Sequence, residues 1–182
     1  MIGFMFCGKH SYRDFGLHVK TRSRSTLASR RKRQVEIPGR DGVYTFDGET
    51  YDVKVVELTC SVEASSIADF RAKMRRIAAW LQQSGELSFD DEPGISCRAK
   101  VYNSMAPEEY LPGGTVPIVF ECHPIASGAQ HTIALEITKR GNQTTVPYDG
   151  TAPAPCLVQI YNAGDTAVNG IRIIMTGGVH DA

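Results

Sequence analysis

The sequence lacks the features of a membrane protein, a secreted protein or a common enzyme class. No apolar run approaches the roughly 20 residues of a membrane-spanning helix, and the N terminus has no signal-peptide pattern. We therefore expect synthesis in the cytoplasm. Phosphate-binding, nucleophile-elbow and zinc-protease motifs are absent, and the five histidines are far apart. We predict no catalytic residue, no cofactor, no metal site and no membrane segment.

The cysteines do not form a recognisable pattern. The five cysteines are widely separated, odd in number and without a CxxC pair, which argues against a structural zinc site or thioredoxin-like chemistry. We interpret them as small hydrophobic side chains that are mostly buried.

Long helical periodicity occurs once, within residues 66–83. Five apolar side chains fall on one stripe of a helix with 3.6 residues per turn: Ile67, Phe70, Met74, Ile77 and Leu81. Ser66 and Asp69 have capping-box spacing, with Asp in place of Glu, and Gly85 is placed to end the helix. We interpret Met74 as a core residue and Trp80 as a boundary residue. The stripe requires a sheet to pack against.

The other periodic segments are short and predict strands. They lie near residues 2–7, 53–62, 87–89, 97–101, 116–122, 133–137, 156–161 and 171–175. The alternation slips between Val55 and Val56, which predicts a bulge, and Pro117 predicts an edge strand. Turns are predicted at 39–42, 47–48 and 90–94, and a loop at 106–114. The predicted fold class is mainly β with one α-helix (α+β), the helix packed on a sheet.

Net charge is zero but unevenly distributed. Residues 1–40 hold ten Lys or Arg against two Asp or Glu, so the other 142 residues hold ten against eighteen. Most of the basic residues fall in 20–34, which has few apolar side chains and is predicted to be an arm or long loop ordered by a partner. Three explanations remain open: self-association on the acidic body of another copy, a solvated loop, or non-specific binding of nucleic acid.

An ordered set of segments resembles the distal tail protein (Dit) family of long-tailed siphophages. The set comprises DFGL at 14–17, the basic stretch, IPGRDG at 37–42, an extended strand, a helix ending in WL at 80–81, LSFDD at 87–91 and a strand carrying Tyr102. It covers about residues 1–125.

The resemblance implies a non-enzymatic structural role in a phage or prophage. Members form a hexameric ring at the tip of the tail tube, assembled in the host cytoplasm, that joins the tube to the baseplate or tail tip. DNA passes through the channel without specific binding. The ring-forming domain is β-sandwich-like with one helix, here residues 1–148 with the basic arm at 20–34.

A galectin-like or carbohydrate-module-like domain usually follows in the family. Residues near 148–155 are rich in Pro, Gly, Thr and Ala, as linkers are. We predict that 149–182 is a linker with the start of a second β domain, or strands that return to the first sheet.

Ring contacts are predicted from charge, since a ring needs two different complementary surfaces on each copy. The candidates are Arg30, Arg31, Lys32, Arg33, Arg40, Asp90, Asp91 and Glu92, the basic run lying on a neighbour's acidic surface. The alternative function is a carbohydrate-binding module for host surfaces, with Tyr110, Tyr148 and Tyr161 as its sugar platform.

Overall fold

The fold is described by a computed structural model. It covers residues 3–104, 106–110, 113–137, 146, 148, 150–152, 154 and 156–171. The chain divides into two compact units, Met1–Pro147 and Tyr148–Ala182. The helices and strands of the described residues all belong to the first unit.

One antiparallel sheet makes up most of the first unit. The elements in chain order are β1 Phe4–Phe6, β2 Lys9–His10, α1 Ser11–Phe15, β3 Leu17–Arg24, β4 Arg30–Glu36, β5 Val43–Tyr51, β6 Lys54–Glu63, α2 Ile67–Leu81, β7 Ser84–Phe89, β8 Ser96–Val101, β9 Glu108–Tyr110 and β10 Gly113–Cys122. The order in the sheet is β2-β1-β7-β8-β10-β6-β3, β9 pairs with β10, and β4 and β5 form a separate ribbon. The predicted class, mainly β with a helix on a sheet, is confirmed; the five-residue α1 was not predicted.

Helix α2 begins at its predicted cap. The Ser66 hydroxyl accepts a hydrogen bond from the Asp69 N–H at 3.1 Å, and the Asp69 carboxylate accepts one from the Ser65 N–H at 3.0 Å. Of the predicted stripe, Phe70, Ile77 and Leu81 are buried and Met74 is partly buried, but Ile67 is exposed. The predicted stop at Gly85 is wrong, because α2 ends at Leu81 and Gly85 lies in β7.

The core lies between α2 and the inner face of the sheet. Trp80, predicted at the boundary, is instead only 3% exposed. Its ring stacks on Phe15 at 4.3 Å and on Phe4 at 5.7 Å between ring centroids. Its indole N–H donates to the Phe6 carbonyl at 2.8 Å. Trp80 is the only tryptophan, and it joins the helix to the N-terminal strand.

Residues 20–34 were predicted to be an arm or long loop, but most of them lie in strands. Residues 20–24 continue β3, which pairs with β6, and residues 30–34 lie in β4, which pairs with β5. The low apolar content misled the prediction because neither stretch contributes apolar side chains to the core. Both stretches are ordered by backbone pairing, which leaves no hydrophobic signature in the sequence.

The predicted bulge at Val55 and Val56 is also wrong. Strand β6 starts at Lys54 and pairs with β10 in unbroken register, with Val55 exposed and Val56 buried. The irregularity lies in β3, between Val19 and Thr21. A bulge turns the following residues to the opposite face, so Arg22 and Arg24 lie beside the buried residues of β6.

Pro117 does not mark an edge, because β10 lies inside the sheet between β6 and β8. On the β8 side, β10 pairs with β9 over residues 113–115 and with β8 over 120–122. Pro117 falls in the gap between them. There Val119 N–H donates to Asn103 Oδ1 at 2.9 Å, and Asn103 Nδ2 donates to the Pro117 carbonyl at 3.4 Å. In a strand, the backbone N–H groups of residues 117 and 119 point to the same neighbouring strand. The position where Pro117 lacks an N–H therefore lies in this gap, so no hydrogen bond between strands is lost.

Four smaller predictions differ from the structure. Residues 47–48 are not a turn but lie in β5, opposite an irregular register of β4. Within the predicted loop 106–114, residues 108–110 form β9 and residues 113–114 begin β10. No strand forms at 133–137 or 156–161 among the described residues, and the apolar side chains of both stretches are exposed. Most of 171–175 lies outside the described residues.

Candidate self-association surface

The ribbon of β4 and β5, with the turn between them, is here called the arm (residues 30–51). It continues the hairpin of β3 and β6, because Asp52 N–H donates to the Ser29 carbonyl at 2.7 Å at its base. The turn contains Gly39 and Gly42, both with positive φ, as the predicted 39–42 turn requires. The seven residues of β4 span roughly 23 Å at 3.3 Å per residue. The arm therefore extends well beyond its last contact with the main sheet.

The predicted basic residues Arg30, Arg31, Lys32 and Arg33 lie at the base of the arm. They border an open depression together with Phe46, Thr50 and Asp52. Arg31 Nε lies 4.0 Å from Asp52 Oδ1, and the guanidinium of Arg30 lies 5.9 Å from the ring centre of Tyr51. The basic run is therefore partly balanced by its own chain.

The distal half of the arm exposes several apolar side chains. The prediction of contact residues from charge did not include them. Tyr44 and Phe46 are 52% and 56% exposed, with ring centroids 5.7 Å apart. The guanidinium of Arg40, a predicted contact residue, lies 5.7 Å from the Tyr44 ring centre. Val35, directly opposite Tyr44, is also exposed. The available signal was the alternation of aromatic and polar residues immediately after the Gly42 turn.

The predicted acidic residues Asp91 and Glu92 are engaged within the chain. Asp91 Oδ2 lies 2.8 Å from Arg22 Nη1 and 2.6 Å from Arg24 Nη2, and Arg24 Nη1 lies 3.4 Å from Glu92. The Arg24 guanidinium also stacks 4.6 Å from the Phe89 ring centre. We call these five residues the clasp. It ties the edge strand β3 to the turn after β7, and the bulge in β3 aims both arginines there.

Asp90 contacts Gly3 and His10 in the N-terminal segment. Its Oδ2 accepts hydrogen bonds from the Gly3 N–H at 2.8 Å and contacts His10 Nε2 at 3.1 Å. His10 Nδ1 accepts hydrogen bonds from the Tyr12 and Arg13 N–H groups. The ring proton is therefore on Nε2, which donates a hydrogen bond to Asp90. Partial burial acts to raise the pKa of Asp90, but the bonds from Gly3 and His10 outweigh it and hold the pKa below its ordinary value.

Replacing Asp90 by asparagine should destabilise the protein near pH 7 but hardly at low pH. A carboxyl group whose pKa is depressed by folding contributes stability above its unfolded pKa of about 4, and that contribution disappears as pH falls through the lower folded value. Urea unfolding of both proteins at pH 7 and pH 3 tests this.

The control for that comparison is Asp41→Asn in the exposed arm turn, which should match the wild type at both pH values. A difference between wild type and Asp90→Asn that stays constant with pH would contradict the role assigned to the Asp90 charge.

Two of the three tyrosines of the carbohydrate alternative have described side chains, and both are exposed. Tyr148 and Tyr161 are exposed in the unit Tyr148–Ala182, and the side chain of Tyr110 lies outside the described residues. In the described ranges no three His, Cys, Asp or Glu side chains are grouped to hold a metal ion. No helix among those residues is both long and apolar enough to cross a membrane.

The cysteines lie in different environments. Cys60 and Cys122 are buried, Cys7 and Cys97 are partly buried, and Cys156 is exposed. Burial raises the pKa of Cys60 to about 12, as expected for a thiol without a charge partner. The interpretation as buried hydrophobic residues is correct for Cys60 and Cys122 and wrong for Cys156.

Two comparisons with known proteins find similar chains. The family model described as the phage tail protein RIFT-related domain matches residues 11–122, more than half of the chain. The crystal structure of the Dit protein of phage SPP1 aligns with a TM-score of 0.58 and 18% identity, covering 70% of this chain and 52% of that protein. The present chain thus spans about half the length of that neighbour. No curated protein matches the sequence significantly.

Proposed function

The chain belongs to the family of phage tail proteins with a RIFT-related domain, and on that premise we propose that it is a ring subunit at the distal end of a siphophage or prophage tail. It is a structural component of the virion tail rather than an enzyme. Six copies form a hub between the tail tube protein and the proteins of the baseplate or tail tip. DNA crosses the channel without specific binding, and assembly takes place in the host cytoplasm.

The proposal rests mainly on the exposed, projecting arm. A two-stranded ribbon is only marginally stable by itself, yet the arm is fully exposed along β4 and presents aromatic side chains at its distal half. A closed ring requires each copy to place one surface on a different surface of the next copy. A projecting arm that contacts the body of its neighbour meets this requirement.

The SPP1 neighbour supports the same role by analogy of fold. That protein has been described as a paradigm of the hub adsorption apparatus in phages that infect Gram-positive bacteria. Residues 149–182 are proposed to be a linker and the beginning of a second β domain, or to return to the first sheet.

Removing the arm should abolish the ring and leave the subunit folded. Because Ser29 and Asp52 are joined by a hydrogen bond, a two-residue Asn-Gly turn can replace residues 30–51 without disturbing β3 and β6. We expect native mass spectrometry to show a discrete closed oligomer for the wild type and a monomer for the variant. Thermal unfolding should remain cooperative.

Reversing the charges of Arg30, Arg31, Lys32 and Arg33 to glutamate isolates the electrostatic part of this contact. If the four cations lie on a neighbour's acidic surface, this variant should also be monomeric, and the wild-type ring should weaken at high salt. A ring that persists after removal of the arm would refute the assembly mechanism proposed here.

A further inference from the structure

Besides the basic run at its base, the arm has an apolar distal half that is suited to a specific contact. The whole arm holds five Lys or Arg against four Asp or Glu, a net charge of only +1. Tyr51 is exposed at the base, and the other exposed apolar side chains lie nearer the turn: Val35, Ile37, Val43, Tyr44 and Phe46. Aromatic residues beside an arginine are the typical centre of a protein interface, and a contiguous exposed apolar patch marks an interaction surface.

A complementary surface lies on the outer face of the main sheet. There Tyr102 is 73% exposed, and Val55 is exposed while its neighbour Val56 is buried on the inner face. In the register of β6 and β10, Val55 lies opposite Glu121 and Glu57 lies opposite Val119. The surface thus combines apolar side chains with Glu57, Glu121 and Lys100. We call it the outer patch.

The two acidic residues of the outer patch differ in their availability. Glu121 is paired with Lys100, whose Nζ lies 3.3 Å from Glu121 Oε2, and Lys100 also lies 5.9 Å from the Tyr102 ring centre. Glu57 is exposed on the same face. A cation arriving with an apolar partner would therefore meet Glu57.

We propose that the arm tip of one copy docks on the outer patch of the next copy, with Arg40 against Glu57 and the rings of Tyr44 and Phe46 on Val55 and Tyr102. This inference rests on the proposed ring and names the surface that receives the arm. The contact joins two different surfaces, so it repeats from copy to copy and can close. It also explains why Arg40 is held over Tyr44: charge and ring are presented together.

A charge exchange tests the pairing. Arg40→Glu and Glu57→Arg should each raise the concentration for half-assembly at least about tenfold, the effect of losing one buried charge pair at an interface. The double variant Arg40→Glu/Glu57→Arg should recover the ring. Native mass spectrometry over a dilution series measures this, and circular dichroism checks that each monomer is folded.

Glu63→Arg provides the matched control, because Glu63 is exposed on the same strand and face but lies about 20 Å along β6 from Glu57. Combined with Arg40→Glu, it should not restore assembly. Rings unaffected by either single change, or equal rescue by Glu63→Arg, would overturn the proposed docking while leaving the ring itself intact. A wild-type chain that stays monomeric at every concentration would instead overturn the proposed function and this inference together.

Discussion

Replacing Trp80 by alanine is expected to lower the free energy of unfolding by about 4 kcal/mol, within the range for removing a buried large aromatic side chain. The indole stacks on Phe15 and Phe4 and approaches Phe6 edge-on, so three aromatic contacts are lost at once. The Phe6 carbonyl would also lose its 2.8 Å hydrogen bond from the indole. Since α2 and β1 share this side chain, their packing should loosen together.

Urea unfolding followed by circular dichroism measures the effect of Trp80→Ala, because the variant has no tryptophan left to report fluorescence. Trp80→Phe is the matched control: it retains an aromatic ring but not the N–H donor. We expect it to lose about half as much stability. A loss below about 1 kcal/mol for Trp80→Ala would show that the pocket refills, contrary to a close-packed interior.

Gly114→Val is expected to cost about 3 kcal/mol, the upper end of the usual range for forcing extra atoms into a packed core. A β-carbon at Gly114 would lie 2.7 Å from Phe70 Cε2 and 2.8 Å from the Glu108 carbonyl oxygen. Phe70 is buried on α2, and the Glu108 oxygen is backbone. Neither neighbour can withdraw, so α2 must shift away from the sheet.

Gly128→Val serves as the control for that substitution, since no atom lies within 4 Å of a β-carbon there and its φ is not positive. Its unfolding midpoint should match the wild type. If Gly114→Val were equally neutral, α2 would not pack on β10 as closely as described.

The predicted acidic contact residues have partners within the folded chain, whereas the predicted basic residue Arg40 lies on the exposed arm. The clasp engages Asp91 and Glu92 through arginines that belong to the same chain, and Asp90 binds the N-terminal segment. Asp90, Asp91 and Glu92 therefore already have partners within the chain. The exposed Glu57 is more available to the arm in the proposed docking. Arg40, by contrast, lies beside the exposed aromatic rings of the arm.

The sequence by itself predicted those helices and strands whose pattern of apolar residues lies within one continuous stretch of the chain. The apolar stripe and the Ser66 cap located α2, and alternation located the strands that line the core, because burial of one face imposes the period of the element. The ordered segments shared with phage tail proteins also pointed to the family that residues 11–122 match.

Tertiary structure alone decided which strands are neighbours and which charges meet. Pro117 lies inside the sheet because Asn103, fourteen residues earlier, fills the gap beside it. The basic residues of β3 reach Asp91 only because a bulge turns them inward. Such pairings depend on register between segments distant in sequence, and hydrogen-bonded ribbons such as the arm form without an apolar face. No single stretch of sequence contains that information.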